Sequence, residues 1–435
     1  MTKRDLTGSA VCLMGLTLSA CTPLAPTELS ALLGDAATNP DVFENVTYIG
    51  ADGGQVYLSR NDLPDNLLGD LLAEIVVADS TDSSPPEFFR FDVGAVGVSD
   101  GQFNLIADDL VSSPIVSANS RWLIWQDSAT GSLIRLDRTT GNQADALTSN
   151  PDNAYAQILL LDEDTLWVKQ FDYSDELAGA APQSALKSIN LASLEVTDFG
   201  DAIDDSAFQI AIRSGVIYTF ETIVDNSSAT NPDMAVAGEP VVDFSPPDFR
   251  YRLIAFDINS RTRNVLLESF DLGIMPADPQ FDSAGRLLWR EDRYDAATTT
   301  FRAMTLADQQ VVTMHEFVGE IPMLPEFDGG GTEDFSFQPT GRSSAVLAWN
   351  ERGLLIGEVE YRGGTSFFPN TTQRYIYRGF DGTEFDVFSF ETSGLFGSPI
   401  TAIADDTIIC RDVINGELIL TNIKTRESKR VAIFP

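Results

Sequence analysis

Histidine is almost missing from this chain: His315 is the single copy in 435 residues. A Ser-His-Asp triad or a His-based zinc or iron centre would have to be built on that one imidazole, and Thr313-Met314-His315-Glu316-Phe317 contains neither a second His nor a Cys. His315 is therefore expected at a surface or turn position. Lysine is scarce as well, with five among the 28 basic residues, set against 65 acids and a formal net charge of −37. Binding to phosphate backbones depends on Lys and Arg displacing counterions, so nucleic acid is excluded as a partner, and so is broad docking on anionic lipid heads. The acids are dispersed and not gathered in a tail, which suits a surface solvated in salty water.

Catalytic signatures are missing too. No G-x-S-x-G elbow, no phosphate-cradling G-x-x-x-x-G-K-[ST] loop and no G-x-G-x-x-G fingerprint occurs, and Gly329-Gly330-Gly331 sits between loop segments and not between a strand and a helix. Asp162-Glu163-Asp164 and the acids of 201–205 could offer oxygens to calcium, but they read as solvated turn acids, since a calcium site needs several ligands converging on one point. No catalytic residue, cofactor or metal site is assigned. Helical periodicity is confined to 30–33 and 66–75, and no apolar run is long enough to cross a bilayer as a helix.

What is present begins at the N-terminus. Lys3 and Arg4 precede an apolar stretch from Ala10 to Leu18, which closes on Leu18-Ser19-Ala20-Cys21. Charge, a short apolar core and small residues before a cysteine are the parts of a secretory signal. The last four residues resemble the lipobox of bacterial lipoproteins, which implies cleavage between Ala20 and Cys21 and lipid on the Cys21 sulfur. Thr22 stands where family members retained at the inner membrane often carry Asp, so the resemblance points to the outer membrane. The expected organisation is a signal peptide at 1–20, a lipidated N-terminus and Pro/Ala/Thr-rich tether at 21–41, and one folded domain at 42–435. With Cys12 removed and Cys21 lipidated, Cys410 is left without a disulfide partner. It lies in the apolar run Thr407-Ile408-Ile409-Cys410, which predicts a small buried hydrophobe.

The rest of the chain reads as strands. A short apolar run, a turn of Asp, Asn, Gly, Ser or Thr, and another run alternate throughout, and 43% hydrophobic residues supply an ordinary core. The clearest unit runs from Ser113 through Trp122-Leu123-Ile124-Trp125-Gln126-Asp127 and Ser132-Leu133-Ile134-Arg135-Leu136-Asp137 to Leu147, four strands in meander order. Its grammar returns at 279–292 and 335–350, and in looser form near Tyr155, Phe208 and Pro399, with a first unit over 46–108. Insertions lengthen the units at 63–86, 223–247 and 323–331. Such repeats predict an all-β fold, a β-propeller of four-stranded antiparallel blades, because a four-stranded meander buries both faces only by stacking on neighbours around an axis. Seven blades are expected, and six or eight also fit the spacing; stacked sandwiches are the competing all-β arrangement. The turns Ser283-Ala284-Gly285-Arg286 and Pro339-Thr340-Gly341-Arg342, placed between first and second strands, resemble those of TolB-type and prolyl-peptidase-type propellers. The C-terminal run 429–434 is expected to finish the last blade without help from the N-terminus.

Trp122, Trp125, Trp167, Trp289 and Trp349 are all assigned to second strands, as packing between blades. Two functions are carried forward. The first is a non-catalytic lipoprotein of the outer membrane or cell surface, attached through its lipid, whose propeller is a scaffold for an envelope protein. Asp137-Arg138-Thr139-Thr140-Gly141 resembles the Asp-x-x-Thr-Gly turns of a propeller lipoprotein of outer-membrane barrel assembly, although the tryptophan that follows in those repeats is missing. The second is a secreted glycan-binding or glycan-cleaving propeller that uses carboxylates at the axial cavity.

Overall fold

The computed structural model describes residues 45–62, 90–127, 130–148, 154–172, 183–224, 249–268, 274–293, 297–320, 341–364, 369–393, 400–412 and 414–434. Among them every regular element is a strand. The two short helices expected at 30–33 and 66–75 lie outside the described residues.

The strands form seven consecutive blades. The first holds β1 (Asn45–Asp52), β2 (Gln55–Asp62), β3 (Arg90–Gly97) and the start of β4 (Phe103–Ala118). The strand β4 then runs on to become the inner strand of the second blade, with β5 (Trp122–Asp127), β6 (Leu133–Asp137) and β7 (Asn142–Leu147), so these two blades share one seven-stranded sheet. The third blade is β8 (Ala154–Asp162), β9 (Thr165–Asp172), β10 (Gln183–Asn190) and β11 (Glu195–Asp198). The fourth is β12 (Ile210–Arg213), β13 (Val216–Val224), β14 (Phe249–Asp257) and β15 (Thr262–Leu267). The fifth is β16 (Ile274–Phe281), β17 (Leu287–Arg293), β18 (Thr298–Thr305) and β19 (Gln310–Val318). The sixth is β20 (Gly341–Asn350), β21 (Gly353–Gly364), β22 (Pro369–Gly379) and β23 (Glu384–Ser393). The seventh is β24 (Thr401–Ala404), β25 (Thr407–Asp412), β26 (Glu417–Asn422) and β27 (Ser428–Ala432). Every blade is an antiparallel meander in chain order, and the last completes itself, as expected.

The core explains why second strands are continuous apolar runs and not alternating ones. Successive side chains of a strand point to opposite faces, and each face of a blade meets a different neighbour. Trp122 and Ile124 pack against the third blade while Leu123 and Trp125 pack against the first. Leu287 and Trp289 face the fourth blade, and Leu288 between them faces the sixth. Ile408 and Cys410 meet the sixth blade, and Ile409 meets the first. Each seam thus has its own buried cluster, and fully burying one such side chain contributes roughly 1.5–3 kcal/mol.

The ring closes where the seventh blade meets the first. Ile409, Leu418, Leu420, Val431 and Phe434 pack on Val46, Val56, Leu58 and Val96. The Phe434 ring stands edge-on to Phe103 at 4.9 Å, and the Arg60 guanidinium lies 4.9 Å from its centre. Gly94 makes room for this contact, since a Cβ there would fall inside the Phe103 ring's van der Waals surface.

Two expectations are corrected. Pro339-Thr340-Gly341-Arg342 is not the turn between first and second strands of its blade; Gly341, with φ of 92°, opens the first strand, and the turn follows Asn350. Trp349 therefore belongs to a first strand, although it still packs between blades. In the fifth blade the expectation holds, and Gly285 turns with φ of 84° between β16 and β17.

Candidate functional site

Sequential antiparallel strands divide the connections between two rims. Turns from first to second and from third to fourth strands share one rim, while loops from second to third strands and from blade to blade share the other. The first rim is built from short, self-capped turns. In the Asp137–Gly141 turn the Asp137 carboxylate accepts hydrogen bonds from the Thr139 amide and hydroxyl and from the Thr140 amide, and Gly141 N–H donates to the Asp137 carbonyl at 2.7 Å. The same design recurs with Asn190, Asp257 and Asn422 as the capping residue. Its fifth residue takes positive φ, as Gly141 (73°), Leu194 (62°), Arg261 (57°) and Arg426 (60°).

The second rim carries the long segments. Those at 63–89, 173–182 and 225–248 leave from and return to directly paired residues: Asp62 opposite Arg90, Asp172 opposite Gln183, and Val224 opposite Phe249. Each is thus an insertion at the tip of an intact hairpin. Cys21 and Ala20 lie outside the described residues, as does the whole insertion at 323–331.

Two charged clusters lie deeper. On the second rim, where the third blade passes to the fourth, Lys169 is fully buried and its ammonium donates to the carbonyls of Asp204 and, at 3.2 Å, Ala207. Burial pulls its pKa down to about 8, against the pull of Asp205, Asp204 and Glu221. Glu221, also fully buried, accepts from the Asp204 amide at 2.9 Å and from Arg252 at 3.0 Å, and pairs with Arg263. Ser206 bonds the Asp204 carboxylate at 2.8 Å and receives the Thr222 amide at 2.7 Å. The connection between β11 and β12 is thereby tied to both of the blades it joins.

The second cluster centres on Asp278, at a bulge in the inner strand of the fifth blade, with φ of 54°. Gln209 exchanges two 2.7 Å hydrogen bonds with it, one through the Asp278 carboxylate and one through its amide. Arg290 pairs with the other carboxylate oxygen at 2.9 Å, and the Trp349 indole approaches that oxygen at 3.4 Å. One carboxylate next to the axis links three successive blades. Both clusters are ties: each acid and the lysine is already bound within the fold.

The residues singled out from sequence fall elsewhere. His315 is in β19, not a turn; its half-buried ring sits between Phe301 (6.4 Å) and Phe380 (5.5 Å), and burial, helped by Arg378, lowers its pKa. Cys410 is buried among Tyr375, Ile408 and Ile419, and burial pushes its thiol far up, away from the reactive thiolate. Of the acidic turn at 162–164, Asp164 accepts from Arg121 at 3.0 Å and from the Trp122 indole at 2.7 Å. Lys169 and Asp278 were not anticipated. The signals were there: a lysine inside Leu166-Trp167-Val168-Lys169, in a chain with so few, and an acid between two prolines at 276–279.

No family model matches the chain, and no curated protein does. Solved structures do. A puromycin hydrolase aligns at a TM-score of 0.50 with 10% identity over 89% of this chain and 53% of its own. A mutant puromycin hydrolase complexed with PGG aligns at 0.51 with 11% identity over 94% of this chain and 56% of its own. The β-propeller domain of the Trilobed protease from Pyrococcus furiosus aligns at 0.46 with 9% identity over 89% of this chain and 97% of its own. This chain spans about half the length of the puromycin hydrolases, and at such identities the likeness is one of fold: a β-propeller of the kind found in prolyl-peptidase-type enzymes.

Proposed function

We propose that this protein is exported, held on the cell envelope by lipid at Cys21, and serves there as a non-catalytic β-propeller scaffold on which an envelope protein docks. The observation that carries the reading is the inequality of the two rims. One is closed by short capped turns, while the hairpin tips that accept long insertions all lie on the other. A rigid ring that keeps its extra sequence on one rim has the organisation of a platform, since binding residues are concentrated on loops positioned by a stable scaffold. The signal and lipobox at 18–21 support an envelope location, and the acidic surface supports a protein partner over nucleic acid.

The test uses tagged full-length protein in detergent-solubilised envelopes. Wild type is compared with Cys21→Ser and with a chain in which 225–248 is replaced by Asn-Gly, the two-residue turn that the Val224–Phe249 pair can accept. Metabolic labelling with a palmitate analogue is expected for wild type and not for Cys21→Ser. The shortened chain is expected to keep its melting temperature while losing co-purifying envelope protein. Labelling of the serine variant, or an unchanged partner set in the shortened chain, would contradict the reading.

A further inference from the structure

On the rim of short turns, the seam between the sixth and seventh blades opens into a groove of about 540 Å³, within the size range of small-molecule sites. Its apolar lining comes from Tyr377, Phe380 and Ile423. The Tyr377 side chain is 1% exposed and forms part of the groove wall.

The charged residues of the groove are unequally engaged. Asp406 pairs with Arg352 and with Lys424, Glu351 accepts the Ser283 amide at 2.6 Å, and Asp381 accepts the Thr383 amide at 2.9 Å. The carboxylates are in use. Arg426 is not: its guanidinium lies 5.5 Å from the centre of the Phe385 ring and bonds no carboxylate or carbonyl among the described residues. Arg261 is the internal control, because it holds the equivalent fifth position of the turn in the fourth blade, with φ of 57° against 60°. There the guanidinium covers Phe199 at 5.4 Å and also donates to the Asp198 carbonyl at 3.1 Å. In the seventh blade the stacking is kept, the acceptor is gone, and the groove lies in its place. Holding a non-glycine residue at positive φ costs energy, and the same turn accepts glycine in the second blade.

We propose that this groove binds a small organic carboxylate with a planar apolar body. The Arg426 fork matches a carboxylate, Phe380 and Ile423 pack the body, and the Tyr377 hydroxyl supplies a second polar contact. Of the three carboxylates, Asp406 is paired with two cations, and Glu351 and Asp381 are held by backbone amides. The site is on the rim opposite the long insertions, so it stands or falls independently of the scaffold reading.

The experiment is calorimetric titration of the full-length protein with three probes of increasing ring size: benzoate, phenylacetate and indole-3-acetate. At least one is expected to bind saturably at millimolar concentration, with acetate and 2-phenylethanol, which lack the ring or the charge, at least about tenfold weaker. Arg426→Gln is expected to weaken binding about tenfold or more at unchanged melting temperature, while Arg261→Gln leaves it unaltered. Tyr377→Phe, which keeps the ring and removes only the hydroxyl, is expected to weaken it severalfold. Failure of all three carboxylates to saturate would overturn the proposal, as would equal binding by the Arg426→Gln protein.

Discussion

Replacing Phe434 by alanine tests how the ring is closed. The four described strands of the seventh blade all come from 401–432, so closure rests on the seam between it and the first blade, and Phe434 is the last described side chain in that seam. The ring is 7% exposed, edge-on to Phe103 at 4.9 Å and beneath Arg60, whose guanidinium also donates to the Phe434 carbonyl at 3.2 Å. Phe→Ala at a core position costs about 3–5 kcal/mol, and a site beside the chain end can relax more than an interior one, so about 3 kcal/mol is expected. About 1 kcal/mol of that belongs to the Phe103–Phe434 pair and roughly 0.5–1 kcal/mol to Arg60 above the ring. Urea unfolding followed by tryptophan fluorescence measures the loss, and a double-mutant cycle with Phe103→Leu isolates the pair. Gly94→Ala, which drives a methyl into Phe103, is expected to mimic the loss. A cost for Phe434→Ala under about 1 kcal/mol, or no coupling to Phe103, would refute closure through this seam.

Three further outcomes are expected. Burial holds the Lys169 pKa at about 8, below the ordinary 10.5, so between those pH values the unfolded chain keeps a proton that the folded chain has released. This group therefore makes stability rise with pH across that window, by up to about 1.4 kcal/mol per pH unit. Lys169→Met should remove that slope, and parallel urea-midpoint curves for the two proteins would reject the assignment. Glu221→Gln leaves Arg252 and Arg263 facing a neutral amide in a fully buried position, and a loss of about 2 kcal/mol is expected from chemical denaturation. Leu194→Gly relieves a leucine at φ of 62° in a turn where the second blade has Gly141, so differential scanning calorimetry should show an unchanged or higher melting temperature.

The repeat was legible because the fold writes itself into second strands. A strand buried on both faces must be apolar at every position, so Trp122–Trp125, Leu287–Trp289 and Ile408–Cys410 stand out against polar turns, and counting them gives the observed seven blades. The sixth blade misled for the same reason. Its first strand ends in Ala345-Val346-Leu347-Ala348-Trp349, apolar enough to pass for a second strand, and Pro-Thr-Gly-Arg before it imitates the Ser-Ala-Gly-Arg turn of the fifth blade. The charged ties left less trace. Lys169 meets carbonyls 35 and 38 residues away, and Asp278 meets Gln209 and Trp349 at separations of 69 and 71, so only the topology brings them together. A lysine in an apolar run signals burial, but its sequence does not name the acceptor.

The scarcity of lysine acquires a structural meaning once the seams are compared. A chain with a net charge of −37 repels itself, and its cations are best placed where they hold neighbouring blades together. Arginine does this in a way lysine cannot, since its flat guanidinium stacks on an aromatic face while its edge still donates hydrogen bonds. Arg138 covers Tyr57 across the first seam and bonds the Asn119 carbonyl of its own blade. Arg121 crosses from the second blade to Asp164, Arg261 from the fourth back to Phe199, Arg213 from the fourth on to Phe281, and Arg60 from the first to Phe434. Between the fifth and sixth blades no arginine stacks across among the described residues; polar contacts there include Trp349 with Asp278, the Ser283 amide with Glu351 and the Glu320 amide with the Ser344 hydroxyl. Between the sixth and seventh the pattern returns in excess, with Arg352 on Asp406 and both Arg430 and Arg426 over phenylalanines. Arg430 is satisfied by Asp412 and Glu417 and Arg352 by Asp406, so among the described residues the cation left over at that seam is Arg426, and it is left over beside the groove.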